Sequence, residues 1–371
     1  MTTPIAPSTE LRALWVIRYE LADRDAIDQV IDIAQRGRFQ LLFVQVRGRG
    51  DAYYRSPYEP PGLSLKQPPS VFDPLAYLLA RAHEAGIAVH AWVNVYYVWS
   101  DDGSEPPAGH IVREHPEWLL TDDRGERMDR FPVDHWTDNG LEGYFVSPAN
   151  RAAREHTVAV IEDLAQRYEI DGVHLDYVRY PGMGFGYSKA ERTHFALEYG
   201  ADPAELRRDR ERIADIIGDE GVGSLDELLI EWRTQQVDSL VMGVRRAIAP
   251  MPLSAAVIPD HVRARDEKGQ DWVYWLQHGL VDFVVLMAYS YRPDELQREI
   301  TYLNNVVGLD RLVVGLPLFD GRARYLEPSV ALLRQEGIKG FSLFSYRQLA
   351  NNPFSLGFLE SVFLAPADSL Q

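Results

Sequence analysis

The feature that most constrains this chain is a repeated alternation. Eight short apolar runs, at residues 13–19, 40–47, 87–95, 172–176, 253–258, 283–289, 312–318 and 340–344, are separated by segments of helical periodicity or by long polar loops. Each run has the length of a strand. Several are apolar at nearly every position, as happens when both faces of a strand are covered. Residues 23–36 carry Ile27, Val30, Ile31 and Ala34 at helical spacing, and residues 72–85 open with Asp73 and Pro74 as cap and first helical residue. Helical patterns recur at 150–168, 228–248, 272–278, 294–307, 329–336 and 356–364. Strand–helix alternation predicts parallel strands with right-handed crossovers. Eight such units predict an α/β fold of the (β/α)8 TIM-barrel class. A doubly wound open sheet is the alternative. It is disfavoured because the first strand does not lead into a glycine-rich phosphate turn.

The expected organisation is a single catalytic barrel over residues 11–365 of 371, with insertions at about 96–143, after the third strand, and 182–228, after the fourth. Apolar residues make up 46% of the chain and charged residues 25%, the balance of a folded domain. A net charge of −17 argues against a nucleic-acid partner, which needs a basic face. The absence of cysteine excludes disulfides, a thiolate nucleophile and Cys-ligated zinc. No apolar run is long enough for a transmembrane helix. Residues 1–10 hold no apolar signal core. The expected location is cytoplasmic if the chain is full length and extracytoplasmic if a signal precedes it. Nothing in the sequence sets an oligomeric state.

In a barrel, chemistry gathers where the strands end at their C-termini. Those ends carry Arg18 and Glu20, then Gln45, Arg47 and Asp51, then Asn94, then Asp176 and Arg179. The later strands add Asp260, Tyr289 and Tyr291, Asp320, and Ser345 with Tyr346. Alternation along residues 172–176 points Val173 and Leu175 one way, and His174 and Asp176 the other. Asp176 either pairs structurally with Arg179 or His174, or performs chemistry. Carboxylates among amides and aromatics suit a sugar, and glycoside hydrolysis uses two carboxyls. A Schiff-base enzyme would need a lysine at a strand end, and Lys66, Lys189, Lys268 and Lys339 do not supply one. His90 and His174 lie low in their strands and read as packed core histidines, so no metal and no cofactor is expected. An acidic loop at 101–138 is the one place a calcium ion would fit. Trp99, Trp118 and Trp136 fit either a private loop core or a substrate platform.

Several stretches carry a resemblance: Gln45 to Ala52, the block from Asp73 to Asn94, HPEWL at 115–119, SPAN at 147–150, DGVHLDYVRYP at 171–181, Trp232-Arg233, and the ending from Phe341 to Tyr346. Over nearly its whole length the chain resembles the glycoside-hydrolase-like family 10 proteins. The resemblance implies a TIM barrel that hydrolyses sugar polymers. One kind of relative cleaves peptide-free peptidoglycan strands. It makes Asp176 the leading catalytic carboxylate and Arg47, Asn94 and Tyr289 ligand contacts. For the second carboxylate the first choice is Asp260, then Asp51 and Asp320. The combined expectation is a hydrolase using Asp176 and Asp260, with Arg18, Arg47, Asp51, Trp92, Asn94, Arg179, Tyr289 and Asp320 binding a polysaccharide or oligosaccharide. The alternatives are a non-catalytic carbohydrate-binding barrel and a polysaccharide lyase using Tyr289 or Arg179.

Overall fold

A computed structural model describes residues 10–100, 104–131, 141–319, 321–351, 357 and 359. Eight parallel strands close into a barrel: β1 (Leu11–Val16), β2 (Leu41–Arg47), β3 (Ala88–Asn94), β4 (Gly172–Asp176), β5 (Leu253–Val257), β6 (Phe283–Met287), β7 (Leu312–Pro317) and β8 (Gly340–Phe344). Each pairs with its sequence neighbours, and β8 closes on β1. The TIM-barrel expectation is met.

Helices form the outer layer. Asp23 caps α1 (Arg24–Arg36) by accepting the Ala26 N–H at 2.9 Å, and Ile27, Val30, Ile31 and Ala34 are its buried face. Asp73 caps α2 (Pro74–Glu84), and Asn150 caps α3 (Arg151–Arg167). These caps satisfy N–H groups that a helix start leaves open. A long helix, α4 (Arg210–Ile248), breaks its helical geometry at Gly218, whose φ of 77° only glycine adopts freely. It is followed by α5 (Trp272–Gln277), α6 (Pro293–Val306), α7 (Leu326–Gln335) and α8 (Tyr346–Ala350). The helical pattern at 356–364 falls almost entirely outside the described residues.

Strand alternation divides the core in two. Val173 and Leu175 join the large cluster between barrel and helices. Trp15, Phe43, Trp92, Val285 and Val313 fill the barrel interior, and His174 packs between them, edge-on to Trp15 and tilted on Phe43, at ring distances of 4.7 and 4.2 Å. His90 and His174 flank the buried Ser254 hydroxyl at 3.2 and 2.8 Å, so both are packed core histidines as expected. Gly172 makes room for this arrangement, because a Cβ there would lie 2.4 Å from the His90 ring.

Candidate active site

Asp176 ends β4 and pairs in register with Asn94, the end of β3. It shares the interior-facing parity of His174 and so stands at the upper edge of the barrel wall. Its carboxyl is buried. Oδ1 accepts the Tyr177 N–H at 2.7 Å, and Arg179 Nη1 lies 3.6 Å away. Burial raises this carboxyl above its ordinary range. Arg179, the Tyr177 N–H and the Trp92 indole oppose the rise, and the charge of Glu142 adds to it. Such a carboxyl keeps its proton to higher pH than a free one.

Tyr177 follows with a φ of 49°, in the left-handed region that few aromatic residues occupy. Its ring stacks on Tyr97 with centroids 4.8 Å apart, and the Arg179 guanidinium sits 4.6 Å over it. Its hydroxyl donates to Glu142. Across the mouth, Tyr289 packs on Phe344 at 5.3 Å and on Phe319 at 6.0 Å. Burial, and then the nearby Asp176 charge, raise the Tyr289 phenol well above its usual value. Tyr177, Tyr289, Phe319 and Phe344 are each partly exposed, so the mouth presents aromatic surface beside a buried acid.

The other expected residues divide clearly. Trp92 Nε1–H donates to Asn94 Oδ1 at 2.9 Å, and Asn94 Nδ2 donates to the Gly48 carbonyl at 2.8 Å. Asn94 thus ties the loop after β2 to the wall beside Asp176. Arg18 is buried and donates to Gln45 Oε1 at 2.9 Å and to the Tyr19 hydroxyl at 2.8 Å. Arg47 is fully buried and does not share the interior face. Its guanidinium forks onto Glu59 at 2.6–2.9 Å and reaches the Asn94 and Val95 carbonyls. The reason is a bulge: Gln45 pairs with Trp92 but Arg47 pairs with Val93, whose side chain faces the helices. Burial alone would raise Glu59, but Arg47 and His156 more than offset it and hold it at about 2.

Asp51 is fully buried and accepts the Arg49 N–H at 2.8 Å, closing the turn after β2. Asp260 is exposed and caps the helix His261–Lys268 by accepting the Arg263 N–H at 3.0 Å. No hydrogen bond or ion pair joins it to Asp176. Asp320 and Trp136 lie outside the described residues. Trp99 and Trp118 are buried, one beneath Arg49 at 4.2 Å and the other stacked on His115 at 4.0 Å, so both pack locally. Among the described residues no three His, Asp or Glu side chains converge as a metal site. No helix among them is long and apolar enough to cross a membrane.

The structure therefore brings together Asp176, Arg179, Trp92, Asn94 and Tyr289. It adds Tyr177 and Glu142 at the mouth, and pairs Glu59 with Arg47 away from it; the sequence did not single out these three. Tyr177 was within reach as the direct neighbour of Asp176. Glu142 and Glu59 sit in irregular loops, where no periodicity marks one acid from the next.

A sequence model of the family described as Glycosyl hydrolase-like 10 matches residues 10–306. The chain belongs to that family. Among relatives of this glycosyl hydrolase-like 10 protein, glycosyl hydrolase YngK of Bacillus subtilis (strain 168) is 24% identical over 318 residues, covering 76% of this chain and 54% of the relative. Glycosyl hydrolase DigH of Escherichia coli (strain K12) is 24% identical over 295 residues, covering 72% and 58%. The chain thus spans just over half the length of these relatives. The glycoside hydrolase domain of PgaB (BpsB) from Bordetella bronchiseptica superposes with a TM-score of 0.67 at 19% identity, covering 95% of this chain and 99% of that one. The catalytic domain of β-amylase from Paenibacillus polymyxa gives 0.64 at 11% identity, covering 95% and 98%. At these identities the likeness is one of fold.

Proposed function

We propose that this family member is a glycoside hydrolase that cleaves a polysaccharide or oligosaccharide, with Asp176 as its proton donor. The observation that carries the reading is a buried carboxyl, raised in pKa, at the end of β4 in an aromatic mouth. Chemistry at that end of a barrel is the rule for the fold. A general acid must arrive protonated, and burial shifts Asp176 in that direction. Arg179 keeps the carboxyl aligned and stabilises the carboxylate left after the proton departs. Tyr177, Tyr289, Phe319 and Phe344 offer ring faces to the apolar faces of a sugar. Names of relatives that contain "glycosyl hydrolase" agree with the reading.

In the reaction, the Asp176 proton passes to the bridging oxygen as the bond from that oxygen to the anomeric carbon breaks. The electron pair of that bond leaves with the oxygen. Water supplies the replacement oxygen. The test is release of reducing ends from a glycan panel that includes peptide-free peptidoglycan strands, α- and β-glucans and amino-sugar polymers. The native protein is expected to cleave one class, and Asp176→Asn to lose about a thousandfold or more with its melting temperature unchanged. Binding of a glycan with no cleavage by the native protein would instead identify a carbohydrate-binding barrel in which the Asp176–Arg179 pair is structural.

A further inference from the structure

We infer that Glu142 is the second carboxylate of the site, the group that activates water opposite Asp176. This rests on the hydrolase reading above and adds a partner that the strand ends do not supply.

The geometry turns on one residue. The Tyr177 N–H donates to Asp176 Oδ1 at 2.7 Å, and the hydroxyl of the same Tyr177 donates to Glu142 Oε2. One residue therefore contacts both acids, Asp176 through its backbone N–H and Glu142 through its hydroxyl. A non-glycine residue in the left-handed conformation of Tyr177 is strained and persists where the surroundings enforce it. The backbone of Glu142 is pinned as well. Tyr97, which stacks on Tyr177, donates its hydroxyl to the Glu142 carbonyl at 3.2 Å. Gly143 has a φ of 158° and presses against the Trp99 carbonyl, where a Cβ would lie 2.1 Å away. The antiparallel pairing of Tyr97–Trp99 with Tyr144–Phe145, which begins right after Gly143, fixes the loop at this point.

The two acids also differ in environment as a catalytic pair must. Asp176 is buried and Glu142 is exposed. Burial drives the first towards its neutral form, and the second is open to solvent, which separates donor from base. Glu142 accepts the Tyr177 hydroxyl, and its charge bears on that phenol and on Asp176, so it stands within electrostatic reach of the buried acid. Asp260 is already engaged as a helix cap.

The step balances. Glu142 takes one proton from water as the water oxygen bonds to the anomeric carbon, while Asp176 gives one proton to the departing oxygen. Solvent then returns a proton from Glu142 to Asp176. Water attack with direct displacement inverts the anomeric configuration.

The experiment compares Glu142→Gln, Glu142→Ala and Asp260→Asn with the native chain on a glycan the native chain cleaves. Initial anomers are followed by NMR, and folding by thermal melting. Glu142→Gln is expected to lower kcat by about a thousandfold with KM changed only a few-fold. Sodium azide should restore turnover to Glu142→Ala, the anion bonding to the anomeric carbon in place of water. Asp260→Asn should stay within about threefold of native, and the first product should be inverted. Glu142→Gln activity within about tenfold of native overturns the assignment, as does a loss in Asp260→Asn that matches the loss expected of Glu142→Gln. Retention of configuration overturns the water-activating role. A native chain that cleaves no glycan fails at the earlier step and overturns the hydrolase reading itself.

Discussion

Arg47 and Glu59 have no solvent to fall back on. Both are fully buried, and each satisfies the other through three hydrogen bonds of 2.6–2.9 Å. Removing one member of such a pair leaves an uncompensated charge, at a cost of about 3–5 kcal/mol. Glu59→Ala is therefore expected to lower the free energy of unfolding by that amount, measured by urea denaturation. The double replacement Arg47→Met with Glu59→Leu should cost less than Glu59→Ala alone, because it removes both charges. Equal losses would show that packing rather than charge holds this loop. The pair also marks a boundary of what the sequence reveals. Asp176 was legible because a strand end in a barrel has a known use and alternation fixed the face it shares. Arg47 sits at an equivalent strand end, yet the bulge at Val46 shifts its register by one and turns it outward. Nothing in the residues QVR announces that extra position. The carboxylates Glu59 and Glu142 are brought in by loops whose path depends on tertiary contacts.

At the scale of elements, α4 and α5 meet over an ionisable contact. Trp275 Nε1–H donates to Asp238 Oδ1 at 2.6 Å across the two helices. Burial pushes the Asp238 carboxyl up to about 7; Asp271 and Glu231 add to this, while Trp275 and Arg265 oppose it. The unfolded chain titrates this group near 3.8, so between about pH 4 and 7 the folded state binds more protons than the unfolded one. Its contribution is complete below pH 4 and is lost as pH rises through 7, up to about 4 kcal/mol. Asp238→Asn keeps the acceptor for Trp275 and has no charge to bury. It should melt higher than the native chain at pH 8 and close to it at pH 4. A lower melting temperature at pH 8 would contradict this. Element boundaries followed the same physics. Strong apolar runs gave β4 and β8 to the residue. The helix His261–Lys268 escaped because only Ala264 of its residues is buried, leaving no apolar face to see. The hairpin pairing Tyr97–Trp99 with Tyr144–Phe145 escaped because strands of three and two residues have no readable period.

For the whole molecule, the barrel interior sets the acid limit. Burial lowers His90 to about 4, and it lowers His174 further below its usual value, with the charge of His90 adding to that shift. Below pH 6.5 the unfolded chain protonates these rings while the folded interior resists. Stability is thus lost as pH falls from about 6.5 to 4, by about 3 kcal/mol for His90 alone. His90→Gln should unfold at a urea midpoint that gains on the native one as the pH is lowered through that window. A gap independent of pH would show that the ring is not the cause.

The closed barrel, its aromatic mouth and the buried acid lead to one claim, that Asp176 donates a proton to a leaving sugar oxygen. Its most direct test is the dependence on leaving group of Asp176→Asn. A natural glycan needs that proton, whereas an activated aryl glycoside with an acidic phenol leaves without it. Asp176→Asn is expected to lose about a thousandfold on the glycan and only a small fraction of that on the aryl glycoside. Equal losses on both substrates, or near-native cleavage of the glycan, would contradict it.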